Sequence, residues 1–563
     1  MFESLPPGLI MILGAFALPL LPRAIRPALL LALPLTTMAL IWSFDAGYLF
    51  KLDFLDYTLT PIKIDALGRL FATIFALMAF VGSIYAFKQK RIVELVAANI
   101  YAGSAIGVAL AGDLITVFVF WEVMAVASTV VIWSAGTDAS YKASMRYILV
   151  HLFGGVVLMS GIIWHISETG SVDFQAMLAD GPARWLILIG FLLNAGAPPF
   201  SAWLPDAYPE ASFSGTVFLS AFTTKTAVYV LIRGFPGEEI LIFVGIYMIF
   251  YGIIYALLEN DMRRILTYSI VNQVGFMITG IGIGTELALN GAAAHAFTHI
   301  IYKALLLMSA GSVLHMTAKR KCTDLGGLFR TMPLTMTCGI IGALAISSFP
   351  LTSGFISKSM ISQAAADGHM MMVWMFLAAA SAGVFLHAGI KFPWFVFFQK
   401  DSGLRPSDPP LNMRVAMVIL ASLCIGLGVW PEPLYAILPY PVNFIPYTAD
   451  HVIKMLQLLL FAGLAFFLFL PLMKRTLTLT LDVDWFYRRA GLRIARVLAR
   501  YVSNGLKQFD TGTSLLIGGL FRLVFRFNGP SGAFARNTLV GSMVQWVVVL
   551  LGVYLVLFLF GPK

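Results

Sequence analysis

The chain has 563 residues, of which 59% are hydrophobic and 12% charged, about half the charge density of soluble domains. A soluble fold cannot hide that much apolar surface, so lipid is the solvent that fits. The net charge of +10 would suit nucleic acid, but the basic residues sit in short loops between apolar runs. That is the pattern of cytoplasmic loops, and no nucleic acid partner is expected.

Apolar runs long enough to span a bilayer recur from end to end, about sixteen of them. They lie near 8–22, 27–44, 66–87, 92–112, 114–134, 144–167, 184–212 (interrupted), 214–234, 239–258, 264–283, 290–315, 337–366 (interrupted), 371–398, 412–430, 452–473 and 541–560. None shows the period-two alternation of a membrane barrel strand, so the expected fold class is all-α and polytopic. The first run, Ile10–Leu21, lacks a basic segment ahead of it and is followed at once by another, so no cleaved signal peptide is expected. Cys322, Cys338 and Cys424 stand apart, which argues against a cysteine-ligated cluster or a disulfide framework.

The basic loop residues are Arg23/Arg26, Lys88/Lys90/Arg91, Lys142/Arg146, Arg263/Arg264, Lys319/Arg320/Lys321, Lys400/Arg405/Arg414 and Lys474/Arg475. They fall in alternate loops, and the loops between them are acidic or nearly uncharged. The positive-inside rule places the basic set in the cytoplasm and both termini outside the cell (inner) membrane.

Two spans are broken. One reads Asn194-Ala-Gly-Ala-Pro198-Pro199-Phe-Ser-Ala-Trp-Leu-Pro205-Asp206, the other Ser347-Ser-Phe-Pro350-Leu-Thr-Ser-Gly354-Phe-Ile-Ser-Lys358. Proline removes a backbone donor and kinks the helix, so each should carry unwound backbone at depth. Paired broken helices in two inverted repeats point to a transport site. The expected organisation is N-terminal helices over 1–91, one repeat over 92–235, a second over 236–400, further core helices over 401–475, and a terminal part over 476–563. In that last part Asp482–Lys507 has apolar and basic residues on opposite faces, as in an amphipathic helix on the cytoplasmic surface. A terminal span near 541–560 follows it.

Ionisable groups inside spans are costly and usually functional. Glu122 and Lys225 both lie mid-span. His295, His299 and Lys303 recur at i, i+4 and i+8 and share a helix face, a stripe that suits a proton relay because histidine accepts and donates near neutral pH. Metal ligation is the rival reading of H-x-x-x-H, but there is no intervening glutamate and Lys303 would repel a cation, so no metal is expected. Lys358 lies just past the second break. A lysine taken out of water releases its proton more readily, so a nearby carboxylate can switch it. No nucleotide-binding loop is visible and no cofactor is expected.

At these residues the sequence resembles the proton-conducting membrane subunits shared by respiratory complex I, Mrp-type sodium/proton antiporters and membrane-bound hydrogenases. The matching text is Phe120-Trp-Glu122, Ala202-Trp-Leu-Pro-Asp206-Ala-Tyr, Thr224-Lys225, Asp261-Met-Arg-Arg-Ile-Leu-Thr-Tyr-Ser, His295-Ala-Phe-Thr-His299-Ile-Ile-Tyr-Lys303-Ala-Leu-Leu and Gly354-Phe-Ile-Ser-Lys358. The resemblance implies a core of about fourteen helices in two inverted five-helix repeats around a hydrophilic axis. It makes Glu122 the first-half acid, Lys225 the connecting base, His295, His299 and Lys303 the bridge, and Lys358 the exit-side group.

The terminal text Asp482-Val-Asp-Trp-Phe-Tyr-Arg-Arg looks most like antiporter D-type subunits. The function so implied is proton translocation within a multisubunit cation/proton antiporter. The alternative is the pump module of a complex I-like oxidoreductase or a hydrogenase. The chain itself shows no catalytic or redox site. Its expected partners are other membrane subunits, the lipid bilayer, protons and, in the antiporter reading, sodium. One departure stands out: where the family places a lysine ahead of the first break, this chain has Asn194, so either Lys225 pairs with Glu122 alone, or the gating of this half works differently, or its coupling is lost.

Overall fold

The computed structural model describes residues 5–472, 482–483, 485–532 and 540–561. Lys474 and Arg475 lie outside the described residues. The chain separates into two compact units, Met1–Asp484 and Trp485–Lys563.

The first unit opens with α1 (Pro7–Ala17) and α2 (Arg26–Ser43). An antiparallel hairpin follows, β1 (Leu49–Phe54) paired with β2 (Tyr57–Lys63). The sequence reading had only an acidic loop here. The alternation that marks strands is confined to two short runs, Leu49-Phe-Lys-Leu-Asp-Phe and Tyr57-Thr-Leu-Thr, too brief to register against the long apolar runs.

Then come α3 (Ala66–Tyr85), α4 (Ile92–Leu110), α5 (Leu114–Trp133) and α6 (Asp138–Thr169). Asp65, Asp113 and Thr137 cap the N-termini of α3, α5 and α6 by accepting from backbone N–H groups, which satisfies donors that no membrane could. Next are α7 (Pro182–Ala195), the short α8 (Trp203–Ala207), α9 (Gly215–Ala221), α10 (Thr223–Gly234), α11 (Ile240–Leu258), α12 (Met262–Ile283) and α13 (Glu286–Thr317). The unit ends with α14 (Pro333–Ile346), α15 (Ser353–Asp367), α16 (Met371–Val384), α17 (Leu411–Val429), α18 (Glu432–Tyr435) and α19 (Ala449–Leu468). Beyond α16 the helix continues in π-helical turns over Phe385–Lys391 and Trp394–Phe398.

Thirteen helices among the described residues are long and apolar enough to cross a membrane, and three shorter apolar helices are Pro7–Ala17, Pro182–Ala195 and Pro333–Ile346. The chain is a multi-pass, mostly helical membrane protein. Three spans form its centre. The most apolar stretches of Gly215–Gly234 and Met262–Ile283 are 100% buried and that of Glu286–Thr317 94%, against 17% for Ala449–Leu468. The ionisable stripe of α13 therefore sits where lipid cannot reach.

Both expected breaks are present. α7 stops at Gly196, whose left-handed φ of 81° only glycine adopts freely, and helix resumes at Trp203. α14 stops at Ile346, and Ser348 and Leu351, both with positive φ, turn the chain into α15. A third break, in the run read as continuous over 214–234, separates α9 from α10 at Phe222, with φ −104° and ψ −70°. It contains neither proline nor glycine. The freed N–H of Thr223 donates to Tyr101 Oη at 2.9 Å, and the two hydroxyls pair at 2.6 Å. A tyrosine on α4 thus supplies what the helix lost.

The loops gather at two ends. At one, Asp113 accepts from Thr60 N and Asp65 pairs with Arg233 at 2.6 Å. At the other lie the expected basic loops. There Arg146 binds Asp206 through two hydrogen bonds, and Arg320 pairs with Glu210 at 2.7 Å. Arg263 is not a solvated loop residue. It is buried, and its guanidinium donates to the carbonyls of Pro209, Ala211 and Ser212.

In the second unit, the amphipathic helix expected over 482–507 has different bounds. Phe486–Gly491 is a π-helical turn, and α20 runs from Leu492 to Asn528. No proline interrupts that stretch, and its glycines are tolerated within a helix at modest cost. The last helix, α21, is Val540–Phe560.

Candidate functional site

The two lysines near breaks are held alike. Lys225 lies in the first turn of α10, and its ammonium donates to Ser220 O at 2.7 Å and Thr224 Oγ1 at 3.1 Å. Lys358 lies in α15, and its ammonium donates to Ile346 O at 2.6 Å, at the end of α14. It also sits 4.8 Å from the ring centroid of Phe276. Each cation occupies the negative end of a broken helix, where carbonyls have lost their intrahelical partners.

Between them runs α13. His295 Nδ1 lies 3.0 Å from Ser357 Oγ, and its Nε2 lies 3.2 Å from Gln273 Oε1 and 3.3 Å from Tyr302 Oη. Lys303 donates to Ser269 Oγ at 2.9 Å and Leu266 O at 3.2 Å. His299 has no hydrogen-bond partner on either ring nitrogen among the described residues. It stands 6.1 Å from the ring of His295 and 5.2 Å from that of Tyr302. It is within electrostatic reach of Lys225, Lys303, His295 and Lys358. All five groups are buried. Among the described residues none of the three lysines forms an ion pair.

Among the described residues Glu122 pairs with none of these groups. It is half-buried on α5, its Oε1 has no hydrogen-bond partner among the described residues, and its carboxylate lies against Gly155 of α6. It is the one charged residue lining a groove walled by apolar side chains of α4 and α5 such as Ile92, Val96, Val126 and Val130. Direct pairing of Glu122 with Lys225, left open by the sequence, is not observed. Lys225 directs two of its donors to its own helix break. Asn194 is buried at the end of α7, and neither polar atom of its side chain has a partner among the described residues.

Several further buried ionisable groups are not among those expected from the sequence. His151 on α6, His387 and Lys391 on the π-helical segment, and Glu94 at the start of α4 are all enclosed. Lys391 donates to the carbonyls of Ala256, Leu257 and Glu259, closing the end of α11. Glu94 accepts from Ser212 Oγ at 2.7 Å and from Ser214 and Gln89. Asp482 accepts from the hydroxyls of Tyr251 at 2.6 Å and Tyr268 at 2.7 Å. For His151, His387 and Lys391 the signal was present, since each is ionisable and falls inside an apolar run.

Residues 111–385 match the family model described as NADH:quinone oxidoreductase/Mrp antiporter, transmembrane. Residues 111–385 belong to this family. Glu122, Asn194, Lys225, His295, His299, Lys303 and Lys358 all lie within the family segment.

Among curated relatives, the chain is 29% identical over 357 residues to a probable K(+)/H(+) antiporter A/B-type subunit of Rhizobium meliloti, covering 59% of this chain and 36% of that protein. It is 29% identical over 350 residues to the D-type Na(+)/H(+) antiporter subunit of Alkalihalophilus pseudofirmus, covering 58% of this chain and 71% of that one. The chain thus spans about a third of the first relative's length. In fold it is similar to a chain of the membrane-bound sulfane sulfur reductase, an archaeal respiratory membrane complex. That match has a TM-score of 0.72 and 22% identity, and covers 98% of this chain and 100% of that one.

Proposed function

We propose that this chain is the proton-translocating subunit of a multisubunit cation/proton antiporter of the Mrp type. The carrying observation is His299, enclosed, with neither ring nitrogen partnered among the described residues, and within electrostatic reach of Lys225, His295, Lys303 and Lys358. A lysine enclosed without a carboxylate gains by releasing its proton and regains it when negative charge approaches or a neighbouring positive charge leaves, which permits stepwise movement along such a row. In this reading Glu122 loads the first half, Lys225 connects, His295, His299 and Lys303 bridge, and Lys358 releases. Asn194, at the family's lysine position, is part of the first-half gate. The two inverted repeats over 92–235 and 236–400 would frame the row. The basic loop end faces the cytoplasm of the cell (inner) membrane, with both termini outside.

The partners are other membrane subunits, and α20 is the segment that reaches them. Arg493, Arg496 and Arg500 project from it into solvent, as suits lipid phosphates or a partner's carboxylates. The alternative assembly, a redox-driven complex, is favoured by one observation: the fold match to the respiratory-complex chain extends over 98% of this chain, tail included.

The test is proton movement in inverted membrane vesicles containing the native complex. Lys358→Ala is expected to abolish it with assembly intact, and wild-type movement in that variant would sink the assignment. Movement started by added sodium supports the antiporter. Movement started only by an electron donor supports the alternative.

A further inference from the structure

One face of α6 joins the two separated parts of the first half. Tyr147, His151 and Gly155 recur at i, i+4 and i+8 and so share that face, about 12 Å from end to end along the axis. At one end, Gly155 lies against the carboxylate of Glu122. At the other, Tyr147 Oη lies 3.0 Å from Ser128 Oγ and 3.4 Å from Thr223 Oγ1, and Thr223 in turn pairs with Tyr101 at the break two residues ahead of Lys225.

His151 is between them. It is buried, and its ring is clamped by Tyr147, stacked at 3.9 Å, and by the edge of Trp203 at 4.6 Å. Trp203 itself donates to Leu193 O at 3.0 Å, which sets this site beside Asn194. His151 Nδ1 faces Tyr147 O at 2.9 Å. A carbonyl only accepts, so Nδ1 carries the hydrogen and the neutral ring presents its lone pair at Nε2. That Nε2 has no partner among the described residues, and neither do Glu122 Oε1 nor the two polar atoms of Asn194. Most side-chain polar atoms so deeply enclosed have a partner, and this Nε2 is one of the exceptions.

We infer that His151 carries the proton between Glu122 and the break that holds Lys225, across the position where Asn194 supplies no base. The proton reaches Nε2 as the carboxylic acid of Glu122 becomes carboxylate, and it leaves from Nε2 toward the Tyr147–Thr223 hydroxyls. Water bridges each gap, and no bond other than O–H and N–H forms or breaks. The inference rests on the proton-translocating reading above.

The experiment compares His151→Gln, Tyr147→Phe, Asn194→Lys and the His151→Gln/Asn194→Lys pair in inverted vesicles containing the native complex, with Lys358→Ala alongside. Glutamine still donates to Tyr147 O but cannot carry a proton. His151→Gln is expected to slow proton movement about tenfold or more with assembly intact, and Asn194→Lys in the same chain is expected to restore a large part of it. A loss of packing alone would not be repaired by a lysine at 194. Tyr147→Phe keeps the stacked ring, is expected to slow movement several-fold, and decides the matter should His151→Gln fail to assemble. Wild-type rates in His151→Gln, or in Tyr147→Phe when His151→Gln is not assembled, overturn the inference. If Lys358→Ala is dead while those variants run at full rate, the inference falls and the proton-translocating reading stands. If the wild-type vesicles move no protons under either driving force, that reading falls and takes the inference with it.

Discussion

The ammonium of Lys358 donates to the carbonyl of Ile346 at 2.6 Å, across the break between α14 and α15. Gly354 makes this possible. It packs so closely on Ala345 O that a side chain at that position would collide with the end of α14. Arginine at 358 would keep the charge and a donor for the carbonyl but would not exchange its proton. Lys358→Arg is expected to leave assembly intact and lower proton movement at least about tenfold, read by dye quenching in vesicles. A rate within twofold of wild type would mean that charge, not proton exchange, is what position 358 contributes.

Tyr101 is expected to matter although it lies on another helix. Its hydroxyl satisfies Thr223 N at 2.9 Å where α9 gives way to α10. Tyr101→Phe leaves that buried donor unpaired, at a cost of about 1–3 kcal/mol. Thermal unfolding of the detergent-solubilised complex should show the loss, with slowed proton movement because Lys225 follows directly on the break.

Gly155 is the contact surface for the Glu122 carboxylate on α6. The Gly155→Ala methyl would push against the far end of a movable side chain, not against backbone. Assembly should therefore survive while Glu122 is displaced. Proton movement is expected to fall, and unchanged transport would show that Glu122 need not sit against α6.

At the basic end, burial raises the carboxyl of Glu210, but the hydrogen bonds and charge of Arg320 outweigh it and hold the group below its ordinary value of 4.5. A depressed carboxyl contributes stability that is fully present above pH 4.5 and lost as pH falls through the folded value. Arg320→Gln should therefore destabilise the solubilised protein at neutral pH, with the difference from wild type shrinking toward pH 4 and below. Melting curves across that range would show it. A difference that grows on acidification would contradict the assignment.

Composition by itself determined that this chain lives in lipid. Too few charges interrupt its apolar runs for any other solvent, and that argument needs no contacts. The breaks near Pro198 and Pro350 were also legible, because proline and glycine act on the backbone where they stand. So was the shared face of His295, His299 and Lys303, which follows from helical periodicity alone.

Tertiary structure decided the rest. The break at Phe222 carries no local breaker and depends on Tyr101, more than a hundred residues away in sequence. The position of Glu122, against Gly155 and unpaired with Lys225, depends on how α5 and α6 pack. Arg263 reads as a loop cation and is instead enclosed among three carbonyls. Lys391, to which the sequence assigns no role, closes the end of α11. In each case the deciding partner is distant in sequence. The energy of a buried polar group depends on which partner it meets, and only the folded chain brings the two together.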